Sequence, residues 1–150
     1  MLTPRKIQYI KENGFNYRPA VPPGILIRGQ VGDCFDASIM NVLANGFTYV
    51  EGIAKNPLTG EWIHHAWVTD GSAKAFDPTW KMSMHGIEVA MPTEYIGIPL
   101  KTTAVLNFMR ETEYKALFEN GWRNMKLFRQ ALPNHCPVYD FAPDNNQKTV

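Results

Sequence analysis

Asp33-Cys34-Phe35-Asp36-Ala37-Ser38-Ile39-Met40-Asn41-Val42-Leu43-Ala44-Asn45-Gly46 reads as one helix whose start and stop are both encoded locally. Asp33 is a capping residue type, and Gly46 is the residue that most readily ends a helix. Ala37, Met40, Val42 and Leu43 are its apolar residues available for burial. Upstream, Arg28-Gly29-Gln30-Val31-Gly32 carries two glycines within five residues and reads as a tight loop. Cys34 therefore falls in the first turn of the helix. Downstream, Phe47–Ala54 is rich in aromatic and β-branched residues, as strands are. Lys55-Asn56-Pro57-Leu58-Thr59-Gly60 carries turn chemistry, Glu61–Thr69 resumes as strand, and Asp70-Gly71-Ser72 reads as a hairpin turn. Lys74–Phe76 returns and stops before Pro78. A helix followed by an antiparallel meander is an α+β order, since an alternating βαβ order would carry a helix between strands.

Working outward, Thr3-Pro4 is a helix-start signal and Gly14 a stop, which predicts a helix over about 4–12. The run Pro19-Ala20-Val21-Pro22-Pro23-Gly24 cannot sustain a helix or an inner strand and reads as a connector, and Ile25-Leu26-Ile27 brings the chain back to the core. Residues 81–100, with Met82, Met84 and Met91, read as an irregular cover over the sheet. Thr102–Asn120 reads as helix on Val105, Leu106, Met109, Leu117 and Phe118; Gly121 interrupts it, and Trp122–Leu132 resumes. The tail from Pro133, with Pro137 and Pro143, reads as loop. With no repeat and no low-complexity tract, residues 1–150 read as one domain, its core about 25–100 and a C-terminal helical part about 102–132.

Hydrophobic residues are 45% and charged residues 19% of the chain, a balance that builds a core. Fifteen basic against fourteen acidic residues give a formal charge of +1, which supplies no global attraction to nucleic acid or to an acidic membrane. No apolar run approaches the roughly 20 residues of a membrane span, and no apolar segment follows the basic start as a secretory signal requires. Cys34 and Cys136 are the two cysteines, too few for a disulfide framework. The expectation is two free thiols in a reducing compartment, the cytoplasm.

Cys34 carries the first element of a chemistry. A helix N-terminus, with its unpaired amides, favours a thiolate, and a nearby imidazolium favours it further. The imidazole can come from Ile63-His64-His65-Ala66-Trp67-Val68. In a strand His65 shares a face with Ile63 and Trp67, and His64 shares the other with Ala66 and Val68, so one of the two can face the Cys34 helix. Asp77, one hairpin later, can accept from the other ring nitrogen and hold the histidine in its charged form. Gln30 can offer a side-chain amide to an oxyanion, with the backbone N–H of Cys34 as the other donor. Trp67 and Asp33 stand beside these residues and are the expected substrate contacts.

His65-Ala66-Trp67-Val68, a short turn, then Asp77-Pro78-Thr79-Trp80 resembles the His and Asp motifs of the transglutaminase-like superfamily of papain-fold cysteine enzymes. Gly32-Asp33-Cys34-Phe35 is similar to the helix-opening, Gly-rich Cys motif of that superfamily. Tyr49-Val50-Glu51-Gly52 resembles the strand after the Cys helix in related bacterial and phage proteins, and Tyr95-Ile96-Gly97-Ile98-Pro99 fits the same pattern. The likeness covers roughly residues 28–100. It implies Cys34 as nucleophile, His65 as general base and Asp77 as orienter, on a Cys-bearing helix packed against a small antiparallel sheet. It further implies thiol-dependent hydrolysis or acyl transfer at an amide or isopeptide bond, a protein or peptide substrate, and no cofactor.

Three rivals share these residues. Arylamine acetyltransferases use the same chain order of Cys, His and Asp, but no acetyl-coenzyme A signature is present here. A non-catalytic binding module, such as a phage-encoded inhibitor of a host factor, would keep the fold and use a surface such as Arg123, Lys126 and Arg129 with Trp122 and Phe128. Such a stripe is more often the solvated face of a helix. A metal site would draw on Cys34, His64, His65, Asp77 and His135-Cys136, yet none of these has zinc-like spacing, so no metal is expected.

Overall fold

In the computed structural model, residues 2–30, 32–80 and 91–137 are described in full, and within 81–90 only the backbone of Ser83–Met84 and Ile87–Glu88. Helix α1 spans Pro4–Asn13, where the Thr3 hydroxyl accepts the Lys6 N–H and Pro4 occupies the first turn. Strand β1 (Phe15–Pro19) follows, then helix α2 (Cys34–Asn45). Strands β2 (Thr48–Lys55) and β3 (Trp62–Thr69) form a long antiparallel hairpin, and β4 (Lys74–Ala75) returns briefly. A two-residue hairpin pairs β5 (Ser83–Met84) with β6 (Ile87–Glu88), and β7 is Tyr95–Pro99. The helical part is α3 (Thr102–Thr112), α4 (Leu117–Asn120), a 3-10 turn (Gly121–Asn124) and α5 (Met125–Ala131).

The main sheet has five strands in the order β3-β2-β7-β1-β4, antiparallel except where β4 lies parallel to β1. It curls until its ends meet, because Phe76, just past β4, bridges Val68 of β3 in both directions (2.9 and 3.2 Å). The inner side of the curl holds Tyr17, Val50, Ala54, Trp67, Ala75 and Tyr95. The outer side, with Tyr49, Ile53, Ala66, Val68 and Ile98, packs on Ile10, Phe108, Leu117, Phe118 and Phe128 from the helices. Two strand glycines make the curl possible. A Cβ on Gly52 would strike the Ile96 carbonyl, and one on Gly97 would meet the Trp67 ring and Val50 at 2.7 Å.

The α+β class and the β2–β3–β4 succession follow the sequence expectation, whereas several elements differ from it. Residues 81–100 are not merely a cover, because Tyr95–Pro99 pairs on both sides as the middle strand of the sheet; Met82 lies outside the described residues. Phe15–Pro19, unassigned in the sequence, is a strand as well. The long C-terminal helix breaks at residues 113–116, where Glu113 and Ala116 take left-handed backbone (φ 62° and 58°), and not at Gly121, which is helical. Gly121 serves close packing instead, since a Cβ there would lie 2.7 Å from the Phe128 ring. On α2, Met40 and Leu43 are exposed, while Cys34, Ala37, Ser38, Asn41 and Val42 form the buried i, i+3, i+4, i+7, i+8 face. The tail is loop as far as Pro137, and Pro143 lies outside the described residues. Among the described residues no helix is long and apolar enough to cross a membrane.

Candidate active site

Cys34 is the first residue of α2 and is 6% exposed. Asp33 takes the cap position, but its side chain makes no cap hydrogen bond; its carbonyl accepts the Ala37 N–H instead. The strap before the helix is laced at both ends. Asn41, fully buried on α2, accepts the Ile27 N–H (2.8 Å) and donates to the Ile27 and Ala37 carbonyls (2.9 and 2.8 Å). Gly29 donates its N–H to the Pro78 carbonyl at 3.0 Å, and a Cβ on it would stand 2.7 Å from the Ala37 Cβ. The strap thus ties the start of α2 to the loop that carries Asp77.

His65 projects to the inner side of β3 and is 5% exposed. Its Nε2–H donates to Asp77 Oδ2 at 2.7 Å. The Asp77 carboxylate, 3% exposed, is held by four further donors. Thr79 N–H (3.1 Å), Trp80 N–H (3.0 Å) and the Thr79 hydroxyl (3.4 Å) bond Oδ1, and the Tyr95 hydroxyl (2.9 Å) bonds Oδ2. The rings of Trp80 and Tyr95 lie 5.8 and 6.2 Å from the His65 ring.

Burial works to lower the His65 pKa, but the Asp77 charge and hydrogen bond, followed by the hydrogen bond and charge of Cys34, outweigh it and carry the pKa up to about 10. Burial works to raise the Asp77 pKa, and the His65 charge and hydrogen bond with the Trp80 and Thr79 amides outweigh that, leaving it below the ordinary carboxylate range. At neutral pH the pair is an imidazolium on a carboxylate, and Cys34 is among the groups that favour that charged ring. α2 packs on β3 and β2, with Phe35 of its first turn 4.9 Å from His64.

His64 faces the helices. Its two ring nitrogens bond Glu51 Oε2 (2.8 Å) and Glu119 Oε1 (3.0 Å), so neither is open to take a thiol proton. Burial pulls its pKa down, but the Glu119 and Glu51 hydrogen bonds and charges raise it on balance. Glu51, fully buried, also accepts the Tyr49 hydroxyl (2.8 Å) and the N–H groups of Leu117 and Phe118 (both 2.9 Å). The sequence placed Glu51 and Tyr95 within stretches that carry the resemblance but gave neither a role, and the signal available for Glu51 was a carboxylate in the middle of an apolar strand.

Trp67, expected as a substrate contact, is wholly buried inside the curl with its ring over Gly97, and its Nε1 has no partner among the described residues. A side chain with no exposed surface supports His65 by packing and does not meet solvent-borne substrate. Asp33 is exposed beside Cys34. Gln30 is exposed too, and its backbone carbonyl accepts the Asp33 N–H at 3.0 Å. At the second cysteine, His135 Nε2 bonds the Asn13 carbonyl at 2.9 Å, so it carries the proton and cannot accept one from Cys136 Sγ, 3.6 Å away. Among the described residues no group of three or more His, Cys, Asp or Glu side chains is arranged to hold a metal ion.

Compared with family models, curated proteins and solved structures, the chain matches none.

Proposed function

We propose that this chain is a thiol-dependent hydrolase or acyltransferase of the transglutaminase-like, papain-fold kind, acting on an amide or isopeptide bond of a protein or peptide. The observation that carries the reading is a single buried ring: His65 holds Asp77 through Nε2 at 2.7 Å, and buried Cys34, at the first position of α2, is among the groups that raise the His65 pKa. The rest of the ring's surroundings are aromatic, which keeps water from competing for those bonds.

In this mechanism the Cys34 sulfur attacks the carbonyl carbon as thiolate, its proton resting on His65. The tetrahedral oxyanion takes hydrogen bonds from the Cys34 amide in the unpaired first turn of α2 and from the Gln30 side chain. His65 passes its proton to the leaving nitrogen as the carbon–nitrogen bond breaks and a thioester forms. Water or an amine, deprotonated by His65, then attacks the thioester and expels the Cys34 thiolate. Asp77 keeps Nε2 occupied throughout.

The test is iodoacetamide alkylation of Cys34 followed across pH by mass spectrometry, in wild type and His65→Ala. Burial raises the Cys136 thiol pKa, against a weaker opposing hydrogen bond from Tyr9, which makes Cys136 an internal control. Labelling of Cys34 at pH 6, well under the ordinary thiol pKa of about 8.5, and its loss in His65→Ala is the expected outcome. Cys34 that labels no faster than Cys136, with or without His65, would end the catalytic reading. A second reading, a non-catalytic module that binds a protein, draws on the exposures of Cys34, His65 and Asp77, all 6% or less. It predicts a Cys34 that stays unlabelled in the folded protein at every pH.

A further inference from the structure

We propose that Tyr95 is a positioning residue of this site: its hydroxyl shares Asp77 Oδ2 with His65 and fixes the carboxylate against the ring. The inference rests on the Cys34–His65–Asp77 reading above and adds a residue to which that reading gives no role.

Asp77 sits on a loop after the two-residue strand β4, a weak anchor for a group that must orient a histidine. Tyr95 sits on β7, in the middle of the sheet, paired with Ala54 on one side and Tyr17 on the other. Its hydroxyl reaches Oδ2 at 2.9 Å, and His65 Nε2 reaches the same oxygen at 2.7 Å. With Oδ1 taken by the Thr79 and Trp80 amides, the carboxylate cannot rotate without breaking a bond at each oxygen. Nε2 is thereby kept on Asp77, which leaves the other edge of the ring for Cys34. Tyr95 is 1% exposed, and burial followed by the Asp77 charge holds its hydroxyl protonated far into the alkaline range, so it is a permanent donor.

A donor on Oδ2 draws charge away from the oxygen that holds the His65 proton. Removing it leaves a harsher carboxylate and a more tightly held proton. A phenylalanine at position 95 would fill the same space, so a tyrosine present for packing alone would leave the titration where it was. Among the described residues the titratable groups that face His65 are Cys34 from α2, Asp77 from the loop and Tyr95 from β7; Arg28 bonds the Asp77 backbone carbonyl at 3.5 Å.

The test is an NMR titration of the His65 ring in the full chain, for wild type, Tyr95→Phe and a chain carrying 3-fluorotyrosine at position 95 only. Tyr95→Phe is expected to move the His65 titration upward by about 0.5 unit or more, and the more acidic fluorotyrosine, a stronger donor, to move it downward. A titration unchanged in both chains, or moving the opposite way, would overturn the proposal. If Tyr95→Phe fails to fold, the fluorotyrosine chain alone decides. The titration involves no thiol chemistry: a Cys34 whose alkylation ignores His65→Ala would remove the acyl-transfer reading, whereas an unmoved His65 titration would remove Tyr95 alone.

Discussion

At Asp77 five hydrogen bonds converge on one buried carboxylate, and their strongest consequence is for stability against pH. His65 holds its proton more tightly in the folded chain than in the unfolded one. Its contribution is therefore complete below its unfolded pKa of about 6.5 and is lost as pH rises toward the folded value of about 10. Asp77 runs the other way, contributing above its unfolded pKa of about 3.9 and losing that contribution as pH falls through its depressed folded pKa. The pair is worth most between about pH 4 and 6.5. Urea midpoints should fall from pH 7 to 10, with a slope of at most about 1.4 kcal/mol per unit for one proton. Asp77→Asn should flatten that slope; a wild-type midpoint level over the same range would remove the charged pair. Cys34, His65 and Asp77 were legible because each stands in a local pattern: a helix start, an alternating strand, a turn before proline. Tyr95 was not, because its partner lies 18 residues away and only the curl of the sheet brings them together.

Two elements depend on single buried polar side chains. Asn41 stitches the strap at Ile27 to α2, and Asn41→Leu should cost about 1–3 kcal/mol by leaving the Ile27 groups unpaired. Hydrogen exchange at the Ile27 amide should quicken by at least about tenfold, and an unaltered rate would show that the strap holds by other contacts. Glu51 is the reason that the C-terminal helix stops and restarts: its carboxylate takes the Leu117 and Phe118 amides at the beginning of α4. Glu51→Ala would strand those amides, the Tyr49 hydroxyl and the His64 charge together, a loss of about 3–5 kcal/mol readable by urea denaturation. A loss below about 1 kcal/mol would mean that water replaces the carboxylate without cost. The helices over Pro4–Asn13 and Cys34–Asn45 could be read from caps and stops. The break at residues 113–116 could not, since it is imposed from a strand more than 60 residues earlier. Nor could β1 and β7, each five residues long with a proline at its end.

For the molecule as a whole, the decisive feature is a sheet that bends back on itself around a core of Trp67, Tyr17 and Tyr95. Gly52 of β2 pairs with Gly97 of β7 on one side and with His65 of β3 on the other. Gly52→Ala would drive a methyl into the Ile96 carbonyl and should cost about 3 kcal/mol or more. A variant with an unshifted urea midpoint would mean that the strands can part there at no penalty. The sequence pattern announced the class and the first hairpin. The strand order was beyond it, because β1 pairs with β4 and β7, and β7 with β2, contacts between distant segments that no local periodicity encodes.

The closure also rests on one thin seam. β4 contributes two residues, and a single bridge joins it to β3. When heat parts that seam, two things happen in the same event. Asp77, carried on the loop just beyond, leaves His65. The edges of β3 and β4 lose the bridge that joins them, ready to pair with another copy of the chain. Loss of the His65–Asp77 pair, followed by NMR, and growth of light scattering on brief warming should therefore be one process with one rate.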